Sequence, residues 1–248
     1  MSVIELRLQI YSHILPYTVK VSNKPLRSIV WKPGETAVLR TSSQVHDECA
    51  EVLYGSNTFV FDVAYGRIDF RKRRLIPKNG LTVEKLHRFP LAFLEQAAYV
   101  SRLRHVVINI NHVDSYLGMI NHNCQNTEAL TAGVRAQVSR LVTVLRRTGL
   151  LTRVYVRLTV GSSMMDEIRK VRGNTRVPHR VLAGRNVAEM QTALEPLKEL
   201  NNVKLPTVEG AVTPEYGCLL EDCMRGVVPR EERDLERFAC RLVVGLRE

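Results

Sequence analysis

The chain alternates between segments in which apolar residues recur every three or four positions and segments in which they recur every second position. The first spacing is typical of amphipathic helices and the second of half-buried strands. Residues 3–15 have the helical spacing, and Pro16 ends the predicted helix. Two short alternating stretches within residues 17–31 then predict a β-hairpin.

Further along the chain, one unit recurs that combines a helix, a tight turn and a strand. Its strand has the pattern L-x-x-V-x-(I/V/L), in which a leucine precedes a valine by three residues. The matching pairs are Leu103 and Val106, Leu151 and Val154, and Leu200 and Val203. These valines lie 48 and 49 residues apart, and Val60 precedes the first of them by 46 residues.

A single helix–strand unit cannot bury both of its faces, so such units stack on their neighbours. The sequence therefore predicts an α/β fold, an irregular leucine-rich-repeat-like stack of about four helix–strand units with parallel strands on one side. The extra length relative to a usual leucine-rich repeat falls in polar loops at residues 62–83, 111–128 and 161–185. An ordinary open α/β sheet with right-handed crossovers is the alternative.

The helices of these units are predicted from their apolar stripes. Pro90 opens one helix at its first turn, with Phe93, Leu94 and Ala97 facing inward. A weaker helix covers residues 187–200 and is broken near Pro196. Its inward residues are Met190, Leu194 and Leu197. A longer helix between them has the inward residues Val134, Val138, Leu141 and Leu145.

The last segment, residues 229–248, begins with a proline and two glutamates that favour a helix start. Its apolar stripe consists of Leu235, Phe238, Ala239, Leu242, Val243 and Leu246. We expect this helix to cap the stack, and binding of a partner is the alternative. The chain is thus divided into a helical segment with an inserted hairpin and the first strand at 1–61, a repeat body at 62–228 and a capping helix at 229–248.

Charge changes this picture because it is concentrated in the middle of the chain. The 248 residues carry a net charge of +11. Residues 1–66 are neutral, residues 67–185 hold 22 basic and seven acidic residues, and residues 186–248 are acidic. Arginine outnumbers lysine by 27 to 9, and its guanidinium suits bidentate contact with phosphate or carboxylate. Either a solvated surface or an anionic partner, nucleic acid or an acidic protein surface, explains this excess.

Composition excludes several classes of protein. A hydrophobic content of 45% and a charged content of 25% are ordinary globular values, so wholesale disorder is not expected. No apolar run approaches about 18 residues, so we expect no transmembrane helix and no membrane partner. The first residues mix charge with apolar side chains, unlike a secretory signal. Five cysteines without a CxxC pair fit a reducing, intracellular compartment, the nucleus or the cytoplasm.

No arrangement of residues predicts catalysis, a metal site or a cofactor. A Ser/His/Asp set lacks a G-x-S-x-G nucleophile elbow. His112, His122 and Cys124 share one predicted loop, but a fourth zinc ligand is not evident. Basic clusters are better candidates for binding an anion or a partner, although such clusters are commonly only solvated. They comprise Arg71, Lys72, Arg73 and Arg74 and, in the third long loop, Arg169, Lys170, Arg172 and Arg176.

Three segments near the start of the chain are similar to a known family. Residues 4–11, IELRLQIY, resemble the opening of fungal F-box-like domains, roughly L-P-x-E-(I/L)-R-x-x-I-(Y/W). Residues 39–48, LRTSSQVHDE, are similar to the L-L-R-T-C-R-Q-I-x-x-E-A segment of these domains. Residues 53–61, LYGSNTFVF, resemble their I-L-Y-x-x-N-T-F-x-F segment, which is the most specific of the three. The sequence departs from the family at Ser42 and Ser43, which replace Cys-Arg, and in lacking the leading Leu-Pro.

The resemblance implies a non-enzymatic substrate-recognition adaptor of a cullin-RING ubiquitin ligase. It implies that the first helix contacts the ligase adaptor subunit through Ile4, Leu6, Leu8, Ile10, Ile14 and Leu15. The alternative is that these residues form the first cap of the stack. The rival function is a nucleic-acid-associated protein that binds the RNA or DNA backbone through residues 67–185.

Overall fold

Alternating segments of the chain form the strands of one mixed sheet. The structure is a computed structural model that describes residues 2–20, 29–78, 81–113, 126–161 and 190–227. The strands are β1 (Tyr17–Lys20), β2 (Ile29–Lys32), β3 (Thr58–Ala64), β4 (Arg67–Lys78), β5 (Leu81–Pro90), β6 (His105–Val113), β7 (Leu151–Gly161) and β8 (Val203–Gly210). They lie in the order β1-β2-β4-β3-β6-β7-β8, and β5 pairs with β4.

Helical segments connect these strands. The α-helices are α1 (Val3–Ile14), α2 (Ser43–Gly55), α3 (Ala92–Glu95), α4 (Thr127–Leu145) and α5 (Pro214–Met224). The 3-10 helices are η1 (Ala37–Arg40), η2 (Ala98–Arg102) and η3 (Thr192–Glu199). The sheet is curled into a half-barrel, so the predicted mixed α/β class is confirmed, whereas a leucine-rich-repeat-like stack is not. The predicted boundary after residue 61 falls inside β3.

Four neighbouring strands, β3, β6, β7 and β8, run parallel, as the recurring unit predicts. Val106 lies opposite Val154, as expected from their spacing. However, Phe59 rather than Val60 lies opposite Val106, and Pro206 rather than Val203 lies opposite Val154. The helix–strand units therefore differ in length and do not repeat with one period.

The three-residue spacing between Leu151 and Val154 reflects a β-bulge at the start of β7. The carbonyl oxygen of Arg104 accepts hydrogen bonds from two successive amides, those of Thr152 (2.8 Å) and Arg153 (3.0 Å). Two residues of β7 thus oppose one residue, Arg104, just before the neighbouring strand β6. Because of the extra residue, the side chain of Val154 points toward the core, as that of Leu151 does. Both Leu151 and Val154 are consequently buried.

The largest departure from the predicted elements is a long antiparallel hairpin, β4–β5, where a polar loop at 62–83 was expected. Pro90 ends β5 and does not open a helix. The prediction that Phe93 faces inward is wrong, because its side chain is 65% exposed, whereas Leu94 is buried as predicted. Charged residues occupy both faces of this hairpin, so its sequence lacks the alternation of apolar and polar residues that predicts a strand.

The two later helices follow their predicted stripes. The four inward residues of α4 are fully buried, and so are Met190, Leu194 and Leu197. Within the weaker helix predicted over residues 187–200, the structure has the 3-10 helix η3, which contains Pro196. Proline lacks an amide hydrogen and disfavours the interior of an α-helix, in agreement with this tighter geometry.

The helix α5 was not predicted. Thr213 caps it by accepting a hydrogen bond from the amide of Tyr216, and Pro214 stands at its first turn. Glu221 on α5 accepts a hydrogen bond from the amide of Val208 on β8 (2.9 Å). The predicted capping helix at 229–248 lies outside the described residues.

The helices and the sheet share one large core. Thirty-three of the described residues are buried in it, among them the inward side chains of β3, β6, β7 and α4. Among the described residues, the opposite side of the sheet has a small apolar cluster, in which the buried Val60 and Val107 pack with the half-buried Ile29 and Tyr155, and no described helix contributes to it. We call this side the open face and define it, from the strand register, by Arg71, Val60, Asp62, Val107, Asn109, Arg153, Tyr155, Arg157, Thr207 and Glu209.

Candidate functional site

Local chemistry at the start of the described chain stabilises α1. The hydroxyl of Ser2 accepts a hydrogen bond from the amide of Glu5 (3.2 Å), and the Glu5 carboxylate accepts one from the amide of Ser2 (2.7 Å). This capping box satisfies two amides that a helix start otherwise leaves without partners.

The inner side of α1 packs on the core. Tyr11 and Leu15 are buried, and the half-buried Leu8 packs against the same cluster. Leu8 and Leu15, two of the residues expected to contact an adaptor subunit, are therefore used within the fold. Their apolar character alone did not distinguish them from residues that face outward.

The outer side of α1 exposes a row of apolar side chains. Val3 is 71% exposed, Leu6 52%, Ile10 46% and Ile14 37%. Steps of three, four and four residues place them on one side of the helix. We call these four residues the α1 stripe. Ile4, also predicted as a contact, is 55% exposed but lies outside the stripe.

The position of α1 is fixed by contacts to α2. The Arg7 guanidinium donates to both oxygens of Glu48, at 3.1 and 2.9 Å, in a bidentate pair. Gln44 donates to Glu48 as well, and these hydrogen bonds hold the pKa of the Glu48 carboxyl below its usual value. Because charge-assisted bidentate pairs have a defined geometry, the α1 stripe is presented by a firmly placed helix.

The most specific of the family-like segments contains a buried polar junction. Asn57 is 3% exposed. Its side-chain NH₂ donates to the carbonyls of Pro16 (3.1 Å) and Leu53 (2.8 Å), and its oxygen accepts from the amide of Thr18 (2.6 Å). This residue therefore joins the end of α1, the end of α2 and β1.

The basic cluster at residues 71–74 is not one continuous patch, because its residues alternate along β4. Arg71 on the open face pairs with Asp62 at 3.1 Å, and Arg73 pairs with Glu84. Lys72 lies on the other side with its ammonium 4.7 Å from the centre of the Trp31 ring, and burial lowers its pKa. Arg74 is half-buried opposite Trp31. The remaining predicted basic residues, Arg169, Lys170, Arg172 and Arg176, lie outside the described residues.

Neither a metal centre nor a membrane span is found in the described ranges. No group of three His, Cys, Asp or Glu side chains is close enough to hold a metal ion there. His112 is buried in β6, with its Nε2 2.8 Å from the Thr131 hydroxyl of α4, while His122 and Cys124 lie outside the described residues. Within the same ranges, every helix is too short or too polar to cross a bilayer.

No family model, no curated protein and no solved structure matches this chain.

Proposed function

We propose that this chain is a non-enzymatic protein-interaction module, an F-box-like substrate-recognition adaptor of a cullin-RING ubiquitin ligase. The observation that carries the proposal is the α1 stripe: Val3, Leu6, Ile10 and Ile14, exposed side by side on one helix. The class of ligase comes from the resemblance of residues 3–61 to fungal F-box-like domains. Such an adaptor works in the nucleus or the cytoplasm.

The exposure of the α1 stripe favours docking over the alternative of a structural cap. A cap would bury its apolar side chains against the layer beneath it, and Leu8, Tyr11 and Leu15 already perform that task. A contiguous apolar row beside polar residues is typical of a helix that binds in the groove of a partner. The parallel neighbours β3, β6, β7 and β8 also support the finer proposal of a repeat-like body behind this helix.

Affinity purification of the tagged full chain tests the proposal. We expect the intact chain to recover the adaptor subunit of a cullin-RING ligase. The double substitution Leu6→Asp and Ile10→Asp should abolish recovery, because each places a charge in the apolar contact. Leu8→Asp is not suitable, since Leu8 packs against the core and its loss would destabilise the fold.

Gln9→Asp is the matched control, because Gln9 is exposed on α1 outside the stripe. It should recover the adaptor subunit as the intact chain does. Absence of the adaptor subunit with the intact chain, or undiminished recovery with the double variant, contradicts the proposal. Thermal unfolding of each variant should match that of the intact chain, which checks that the substitutions leave the fold intact.

The rival function, binding of a nucleic-acid backbone through residues 67–185, has less support from the described residues. Arg71 and Arg73 are engaged by carboxylates, and the half-buried Lys72 has its ammonium over the Trp31 ring. A gel shift at low salt tests the rival function directly, because phosphate contacts are strongest there.

A further inference from the structure

Two arginines on β7 face the open side of the sheet. Arg153 and Arg157 alternate with the buried Val154 and Val156, which face the helices. Arg153 is exposed and Arg157 is half-buried. In the described part of the chain, neither guanidinium forms an ion pair, in contrast to the arginines that join the helices.

The nearby carboxylates of the open face are already engaged. Asp62 accepts from Arg71 (3.1 Å) and from the side-chain amide of Asn109 (2.8 Å). Glu209 lies opposite Arg157 in the strand register, but it accepts a hydrogen bond from the Tyr155 hydroxyl. Burial and this carboxylate raise the pKa of Tyr155, so its proton stays in place at neutral pH. The uncompensated charge of the central open face is therefore positive and lies on β7.

A hydrogen-bond acceptor without a donor adjoins these arginines. Asn109 lies opposite Arg157 on β6 and is 8% exposed. Its Oδ1 atom has no donor among the described residues.

We propose that the open face binds an extended acidic segment of a partner protein, with two of its carboxylates on Arg153 and Arg157. The inference rests on the proposed function as an interaction module, and it names the chemistry of the recognised substrate. Arg153 and Arg157 are four residues apart on one strand, a distance of about 13 Å, which matches side chains four residues apart in an extended peptide. An alternating acidic peptide thus matches both guanidiniums at once.

The same face is poorly suited to a nucleic acid. Asp62 and Glu209 flank the two arginines and would repel an evenly charged phosphate backbone. Tyr155 is the one aromatic residue of the open face, and its hydroxyl is tied to Glu209, so a platform for stacking successive bases is not formed by the described strands. A peptide can place neutral residues beside these carboxylates.

Fluorescence anisotropy with the full chain tests the inference. The probe is a labelled peptide that alternates Glu and Ser over 11 residues, the length of β7. At about 50 mM salt we expect it to bind, with an affinity that falls as salt is raised. A peptide that alternates Lys and Ser should not bind. The double substitution Arg153→Gln and Arg157→Gln should lower the affinity for the Glu–Ser peptide by about tenfold or more.

Arg40→Gln is the matched control, since Arg40 is exposed on η1 and forms no ion pair with any described residue. It should leave the affinity unchanged. If thermal unfolding shows that the double variant is destabilised, Arg153→Gln alone, at an exposed position, still gives a measurable loss. Absence of binding by the intact chain, or equal binding by the double variant, overturns the inference.

A single-stranded oligonucleotide gives the remaining arm of the test. If it binds more tightly than the acidic peptide and loses affinity with the same double variant, the open face recognises nucleic acid and the inference is wrong. Failure here is distinct from failure of the adaptor proposal, because capture of the adaptor subunit depends on the α1 stripe and not on β7.

Discussion

At the scale of single residues, Asn57 makes the connection between three elements. Its carbonyl partners belong to Pro16 and Leu53, and its donor is the amide of Thr18. Buried backbone groups without partners are costly, so one side chain here satisfies three such groups. This gives a physical reason for an Asn in the segment LYGSNTFVF.

We predict that Asn57→Ala lowers the free energy of unfolding by about 2–4 kcal/mol, because two buried carbonyls and one amide lose their partners. Chemical denaturation measures the change. Asn202→Ala is the control, since Asn202 is exposed and its side chain makes one hydrogen bond within the described residues, to the carbonyl of Gly149. Equal stability of the two variants would show that Asn57 is not a structural junction.

The role of Asn57 could not be predicted from the sequence. The segment is recognisable as the most specific of the family-like motifs, but the partners at Pro16 and Thr18 are 41 and 39 residues away. A hydrogen bond over that distance depends on how the elements pack. The same limit applies to α1, where apolar residues occur on both sides and exposure alone separates the α1 stripe from Leu8 and Leu15.

At the scale of elements, the periodicity of apolar residues predicted helices and strands correctly, whereas the density of charged residues led to the wrong prediction of a loop at residues 62–83. The apolar stripe of α4 and the apolar alternation of β6 and β7 correspond to buried side chains in the structure, because one side of each element packs in the core. The β4–β5 hairpin was not predicted, because a segment with so many charged residues resembles the sequence of a solvated loop. The inward side of the hairpin is aromatic. The centroid of the Phe70 ring lies 5.7 Å from that of Phe59 and 6.2 Å from that of Phe89.

We predict that Phe70→Ala destabilises the protein by about 3 kcal/mol, because it removes the ring that joins β4 to β3 and β5. Phe93→Ala is the control, with an exposed ring that contacts Phe89 edge-on. Its effect should stay within about 0.5 kcal/mol. Thermal and chemical unfolding give both values, and a loss for Phe93→Ala as large as that for Phe70→Ala would contradict the described hairpin packing.

At the scale of the whole molecule, part of the arginine excess links one helical segment to the next. Arg7 on α1 pairs with Glu48, Arg102 on η2 pairs with Asp47, and Arg140 on α4 pairs with Glu95. Hydrogen bonds from Arg102 and Arg140 hold the pKa values of Asp47 and Glu95 below their usual range. The sequence showed the excess of arginine but not these partners, so only part of the charge is left for binding.

These lowered pKa values predict a loss of stability in acid. A carboxyl with a lower pKa in the folded state stabilises the fold above its unfolded pKa, and this contribution disappears as pH falls through the folded value. We expect the contribution of these carboxyls to the free energy of unfolding to be constant from neutral pH to about pH 5 and to fall below about 4.5, the ordinary value for Glu.

Denaturant unfolding across this pH range measures the effect. Glu95→Gln should flatten the acid limb, because it removes one of the titrating carboxyls. Glu215→Gln, on α5 and without an ion pair to any described residue, should leave the limb unchanged. Parallel curves for Glu95→Gln and the parent protein would exclude this pair as a source of the acid sensitivity.

The outer edge of β8 has a consequence for association between molecules. Proline supplies no amide hydrogen at Pro206, and the amide of Val208, which points to the same side, is taken by Glu221 of α5. Two successive donor positions along this edge are thus closed to an incoming strand. An incoming strand would find no free amide at these two positions, so the described edge of β8 is a poor template for edge-to-edge association between molecules.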